Sequence, residues 1–231
     1  NVMHDLKQAF LPMFGAMAIV GMLLLKEPDF GAFVVIISIA MGILFLGGLK
    51  ARLFAMLIVG LLIAFTIMII VSPYRRDRVF GFMDPWADAF GRGYQLSRSL
   101  IAFGRGELFG VGLGASVEKL FYLPEAHNDF IMAVVGEELG FFGMTLIMVL
   151  FAMLFMRCYK IIMGQSDLRD RFSAFGVTLV LAIGATLDLA VVMGMAPPKG
   201  VAMPFLSYGG SSLLASMMCI GLLLNFSRTA R

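Results

Sequence analysis

Phe121-Tyr-Leu-Pro-Glu-Ala-His-Asn-Asp-Phe-Ile-Met-Ala-Val-Val-Gly-Glu-Glu-Leu-Gly-Phe-Phe-Gly143 runs from a polar loop directly into a hydrophobic segment. Pro124 suits the opening of a helix, and Asn128 or Asp129 its N-cap. On that reading Asp129 stands where a helix N-terminus meets a membrane surface. At a rise of about 1.5 Å per residue, Glu137 and Glu138 stand about 12–13 Å deeper. Ionisable groups at such depth are costly and usually serve function. Glu125, His127 and Asp129 crowd the mouth of the segment.

The flanking chain supplies the membrane argument. Of 231 residues 60% are hydrophobic, and the mean hydropathy is +0.94. Soluble domains average about 45–50% apolar. The excess falls in six runs, about 10–25, 30–48, 51–72, 129–156, 173–194 and 203–225. The expected fold is therefore all-α: one integral membrane domain over 1–231, with six transmembrane helices. The first two runs are separated only by Lys26-Glu-Pro-Asp29, a turn that Pro28 enforces. Residues 73–128 form a long polar connection with short helices, and a connection of that length is usually functional. The start, Asn1-Val-Met-His-Asp-Leu-Lys7, carries no signal-peptide pattern. Cys158 and Cys219 have neither metal-ligand spacing nor the numbers for a disulfide framework. A net charge of +3, dispersed along the chain, gives no basis for nucleic-acid binding.

Lys7, Lys50, Arg52, Arg157, Lys160, Arg169, Arg171, Arg228 and Arg231 fall on one side of the expected bundle, and Lys26 and Lys199 on the other. The positive-inside rule places the first set in the cytoplasm and 73–128 outside. The outer loop still carries Arg75, Arg76, Arg78, Arg92, Arg98, Arg105 and Lys119. Cations kept there suit an anionic ligand.

Several motifs have plain readings. Gly104-Arg-Gly-Glu-Leu-Phe-Gly-Val-Gly-Leu-Gly114 lacks the strand–turn–helix context of a nucleotide site and reads as close backbone packing. Glu125-x-His127-x-Asp129 matches no zinc spacing. Asp188, in the middle of the run 173–194, reads as a structural carboxyl facing a neighbouring helix. Ser207-Tyr-Gly-Gly-Ser-Ser212 reads either as small-residue helix packing or as an unwound stretch lining a cavity.

Together these residues resemble the FtsW/RodA (SEDS) family of peptidoglycan glycosyltransferases, its FtsW branch more than its RodA branch. The resemblance rests on Pro73-Tyr-Arg-Arg76, Gly93-Tyr-Gln-Leu96, Ala102-Phe-Gly-Arg-Gly-Glu-Leu108, Leu123-Pro-Glu-Ala-His-Asn-Asp-Phe130, Gly136-Glu-Glu-Leu-Gly140, Pro198-Lys-Gly200 and Pro204-Phe-Leu-Ser-Tyr-Gly-Gly-Ser-Ser212. It implies a ten-helix bundle of which this chain is the last six. Asp188 stands where the family usually has Asn, and Gly184 where Gln is common. The resemblance further implies polymerisation of lipid II, an undecaprenyl-diphosphate-linked disaccharide-pentapeptide, in cell division at the outer face of the bacterial cytoplasmic membrane. Its implied partners are a class B penicillin-binding protein and other division proteins, in contact with membrane lipid. The family's essential aspartate falls on Asp129.

The chemistry agrees. A carboxylate accepts the proton of an attacking sugar hydroxyl, and cations or oriented amides meet the charge on a departing diphosphate. Lys199, Arg75, Arg76, Arg78, Arg98, Arg105, Glu125, His127, Ser207 and Ser211 are the candidate substrate contacts. No cofactor is expected, although a divalent cation would suit a diphosphate. The competing readings are a lipid II flippase or secondary transporter, and a non-catalytic division scaffold.

Overall fold

The computed structural model describes residues 11–26, 30–200 and 202–229. The Pro28 turn, Lys7 and Arg231 lie outside the described residues. Among the described residues there is no strand. The helices are α1 (Leu11–Lys26), α2 (Phe30–Leu46), α3 (Ala51–Val71), α4 (Pro73–Met83), α5 (Tyr94–Gly106), a π-helical turn (Glu118–Tyr122), α6 (Ile131–Met163), α7 (Leu168–Val192) and α8 (Gly210–Thr229). Four of them, α3, α6, α7 and α8, are long and apolar enough to cross a membrane, and α2 is apolar but shorter. The chain is a polytopic helical membrane protein.

α7 is the hub, packing on α2, α6 and α8, while α5 lies along α6. The upper core joins Ala102 of α5 to Met132, Ala133 and Val134 of α6 and Val191 and Val192 of α7. A second cluster at the other end holds Cys158, Ile162, Ala174, Leu181 and Leu223. α3 has no buried residue.

The two ends of the bundle differ. At one end Arg78 Nη1 donates to Pro198 O (3.1 Å) and Tyr208 N to His127 O (2.9 Å), so the loops before α6 and before α8 share that end. At the other, Gln165 Nε2 donates to Phe226 O (2.7 Å), and Leu46 shares a cavity wall with Tyr159 and Arg171. Among the described residues, Arg157 and Lys160 near the end of α6, Arg169 and Arg171 at the start of α7 and Arg228 near the end of α8 belong to this second end.

Several boundaries correct the sequence reading. α6 runs on to Met163, because Arg157 and Lys160 extend from a membrane helix without ending it. α7 begins at Leu168, where the Asp167 carboxylate accepts from Arg169 N (3.1 Å) as an N-cap. Asp188 therefore lies near the C-terminal end of α7 instead of mid-segment. α8 starts only at Gly210, so Met203–Gly209 is the unwound stretch. No helix opens at Pro124, and neither Asn128 nor Asp129 caps α6. Phe130 holds the cap position without a side-chain hydrogen bond, and Asn128, two residues before it, donates its Nδ2 to Glu125 Oε2 (2.7 Å).

α6 is interrupted at Gly140, whose φ of +64° and ψ of −160° only glycine adopts readily. The break frees two rungs of the helical ladder, the N–H groups of Phe141 and Phe142 and the carbonyls of Glu137 and Glu138. The glycine-rich loop takes up all four. Phe141 N donates to Glu107 O (2.9 Å) and Phe142 N to Leu108 O (3.2 Å), while Val111 N donates to Glu137 O (2.9 Å) and Gly112 N to Glu138 O (3.1 Å). A Cβ at Gly110 would strike Glu138 O, and one at Gly106 would strike Gly136 O. The close packing expected of this loop is thus what lets irregular backbone survive beside a membrane helix. Residues 141–163 alone extend about 34 Å, enough to span. Glu137 and Glu138 precede that run, walled in by the loop.

Candidate functional site

The turn 123–130 is fixed from both sides. Asn128 N donates to Glu125 O (3.0 Å) and Leu123 N to Glu118 O (2.8 Å). Glu125 holds a φ of +55°, an uncommon conformation for a residue with a Cβ. Ser207 Oγ donates to Asn128 O (2.7 Å) and accepts from Met203 N (2.7 Å), pinning the unwound stretch before α8 to the turn.

Asp129 emerges from this frame half-buried. Among the described residues its carboxylate makes no hydrogen bond and no ion pair. A Cβ built on Gly200 would sit 3.6 Å from its Oδ2, so the 198–204 loop passes directly beside it. Burial raises the Asp129 carboxyl above its ordinary range and Glu125 adds to this, whereas Arg78 and Lys199 oppose it. The Lys199 ammonium is buried with no hydrogen-bond partner. Burial lowers its pKa to about 8, and Asp188 and Asp129 act against that. Lys199 is therefore not the exposed turn residue its sequence context suggests.

The other expected site residues separate into groups. Arg98 pairs with Glu118 (3.7 Å) and lies over the rings of Tyr94 and Tyr122. Arg105 pairs with Glu137 (3.4 Å). Both are engaged by protein carboxylates, although Arg105 is itself exposed. Arg76 is exposed on α4 and Arg75 is half-buried there. Arg78 is brought to the site through Pro198 O. Exposed His127 meets the ring of Tyr208 edge-on at 5.8 Å, beside a cavity of about 430 Å³. Tyr208, 79% exposed, was not singled out by the sequence reading, although an aromatic flanked by serine and glycine in an unwound stretch was its signal. Ser207 is buried with its hydroxyl used as a brace, and Ser211 is exposed in the first turn of α8.

Glu137 and Glu138 are structural. Glu137 accepts from Ser116 Oγ (2.5 Å), Val117 N (3.2 Å) and Glu118 N (3.3 Å), and Glu138 pairs with Lys119 Nζ (2.5 Å). Among the described residues, no three His, Cys, Asp or Glu side chains converge as a metal cage. Beside Gly200 an apolar cavity of about 330 Å³ opens between Ile36 of α2, Gly184 of α7 and Cys219 of α8.

These features define a multi-pass membrane protein with one acid–cation site at a bundle end, next to an apolar cavity. The chain belongs to the FtsW/RodA/SpoVE family: the family model, described as a cell cycle protein, matches residues 1–231. It is 54% identical over 225 residues to a probable peptidoglycan glycosyltransferase FtsW of Aromatoleum aromaticum, covering 96% of this chain and 55% of that protein. A probable peptidoglycan glycosyltransferase FtsW of Coxiella burnetii is 46% identical over 232 residues, covering 98% and 62%. The chain thus spans little more than half the length of these relatives. Its fold is similar to a chain of a solved peptidoglycan synthase complex that coordinates polymerisation and crosslinking (TM-score 0.76, 26% identity, 97% of this chain and 63% of that one). An aspartate-to-alanine mutant of the rod-shape-determining protein RodA of Thermus thermophilus shares the fold (TM-score 0.62, 23% identity, 99% and 61%).

Proposed function

We propose that this chain carries the glycosyl-transfer site of a peptidoglycan glycosyltransferase that joins lipid II units into glycan strands during cell division. The observation that carries the reading is that, among the described residues, the Asp129 carboxylate has no hydrogen bond or ion pair and stands beside a Lys199 ammonium that is buried and likewise unbonded. A site poised for a ligand leaves its polar groups unpaired; a scaffold has no use for them.

In this reading an acceptor sugar hydroxyl attacks the anomeric carbon of the donor. The new C–O bond forms as the bond from that carbon to the diphosphate oxygen breaks. Asp129 takes the hydroxyl proton. Lys199 and Arg78 meet the charge that builds on the departing diphosphate. Burial and Glu125 make Asp129 a stronger base than a free aspartate. The apolar cavity beside Gly200 suits the lipid portion of the donor. The basic end of the bundle is placed in the cytoplasm, which sets Asp129 at the outer face of the bacterial cytoplasmic membrane. The likeness to a peptidoglycan synthase complex supports a class B penicillin-binding protein as partner, with other division proteins around it.

The test is gel analysis of labelled lipid II with full-length protein and its partner. Asp129→Asn keeps size and hydrogen bonding while removing basicity. It is expected to lower polymerisation about 10²–10⁴-fold, with membrane insertion and partner binding retained. Polymer at the wild-type rate from Asp129→Asn would refute the reading in favour of a transporter or scaffold.

A further inference from the structure

The loop carrying Lys199 is held from three directions. Arg78 of α4 binds Pro198 O. Gly200 lies against Asp129. Pro204 lies against α7, where a Cβ on Gly184 would be 3.2 Å from its Cγ. One helical turn further along α7 is Asp188, 2% exposed, with Oδ2 buried and unbonded. Lys199 Nζ is likewise buried and unbonded, and neither carboxylate comes within 4.0 Å of it. The charged groups around Lys199 are Asp188 on α7 and Asp129 on the turn before α6; beyond Asp129 stand Glu125 on that turn and Arg78 on α4.

A buried ammonium needs compensating charge. A close ion pair would supply it but would take up the N–H groups that a ligand has to use. Asp188 lies outside ion-pair distance of the ammonium, so in its ionised form it favours that charge without taking up a proton donor. We propose that Asp188 is a positioning residue of the donor site, keeping the Lys199 ammonium charged with its three N–H groups free for the oxygens of a diphosphate leaving group. This rests on the glycosyl-transfer reading above. A carboxyl that merely filled a helix contact would leave the charge state of Lys199 untouched.

The expected effect follows from the ionised form of Asp188. Lys199 binds diphosphate oxygens only when protonated, so polymerisation falls as pH rises through its value of about 8. Asp188→Asn removes a carboxylate that favours the ammonium, so this alkaline limb moves to lower pH, by about one unit. Lys199→Arg keeps its charge throughout and loses the limb. Asp188→Asn added to Lys199→Arg moves nothing.

The experiment measures rate against pH across the neutral and alkaline range, with lipid II and the full-length protein in complex with its partner. It compares wild type, Asp188→Asn, Lys199→Arg and the double variant. The shift in Asp188→Asn and its absence in the double variant support the inference. An Asp188→Asn profile that superimposes on wild type overturns it. Should Asp188→Asn fail to accumulate, Asp188→Ser, which also removes the carboxylate, takes its place with the same two outcomes, and an alkaline limb unchanged by Lys199→Arg overturns the inference equally. Inactive Asp129→Asn with an unshifted Asp188→Asn profile removes this inference alone, whereas active Asp129→Asn removes the site reading beneath it.

Discussion

Asp129 and Glu137 are carboxylates of the same stretch of chain, both withdrawn from solvent, and they have opposite surroundings. Glu137 is fully buried and saturated: a serine hydroxyl and two backbone N–H groups donate to it, and Arg105 balances its charge. With Glu138 and Lys119 it fastens the start of the π-helical turn to α6. Asp129 has no such partners, and neither has its neighbour Lys199. Depth in an apolar segment is therefore a poor guide to function here. Residual hydrogen-bonding capacity separates the two carboxylates, because a group whose donors and acceptors are all satisfied by the protein has nothing left for a substrate.

The sharpest way to break this comparison is to change both acids. Asp129→Asn should lower polymerisation about 10²–10⁴-fold, as stated above, with the unfolding temperature in detergent nearly unchanged, since no hydrogen bond or ion pair of Asp129 among the described residues is lost. Glu137→Ala should do the reverse at the level of the fold. It strands the Ser116 hydroxyl and the N–H groups of Val117 and Glu118, at a cost of about 3 kcal/mol. Thermal unfolding and membrane yield measure this. Equal loss of stability from both variants would show that Asp129 is as structural as Glu137.

The contrast was only partly visible in the sequence. The hydrophobic runs located the helices because membrane spans are long and nearly unbroken in composition. The Gly104–Gly114 run was readable as close packing, since glycines without a nucleotide-fold context leave little else. The functional reading of Glu137 and Glu138 took α6 as continuous, whereas the break at Gly140 admits a loop that supplies both carboxylates with partners. Gly140 alone does not announce a break; the loop that fills it comes from about thirty residues earlier. The same limit explains the arginines. Composition marks Arg78, Arg98 and Arg105 alike, and only tertiary pairing commits Arg98 to Glu118 and Arg105 to Glu137 while bringing Arg78 to Pro198. Asn128 misled as a cap because α6 begins only at Ile131, which leaves Asn128 inside the preceding turn.

Lys199→Ala sharpens the comparison from the cation side. One charge-assisted hydrogen-bond donor to a departing diphosphate contributes about 1.5–3 kcal/mol. The expected loss in kcat/KM is therefore about 10–100-fold, below that of Asp129→Asn because Arg78 remains. Steady-state polymerisation against lipid II concentration measures it. An unaffected kcat/KM would remove Lys199 from the donor site.

The smallest effect is the most specific. Asp129 works as a base only when ionised, so the rate falls as pH drops through its raised value. Glu125 contributes to that raising and Arg78 opposes it. Glu125→Gln removes a like charge, makes ionisation easier and moves the acid limb to lower pH. Arg78→Ala removes a favourable charge and moves the limb to higher pH. Arg78 is exposed, so its influence is screened, and its shift should shrink as salt is raised over the range where the Debye length falls from about 10 Å to about 3 Å. The shift from changing Arg105 should be absent, since that guanidinium is engaged by Glu137. Profiles of kcat/KM for the three variants at two salt concentrations measure these displacements. Movement of the Glu125→Gln and Arg78→Ala limbs in the same direction would mean that the titrating group is not Asp129.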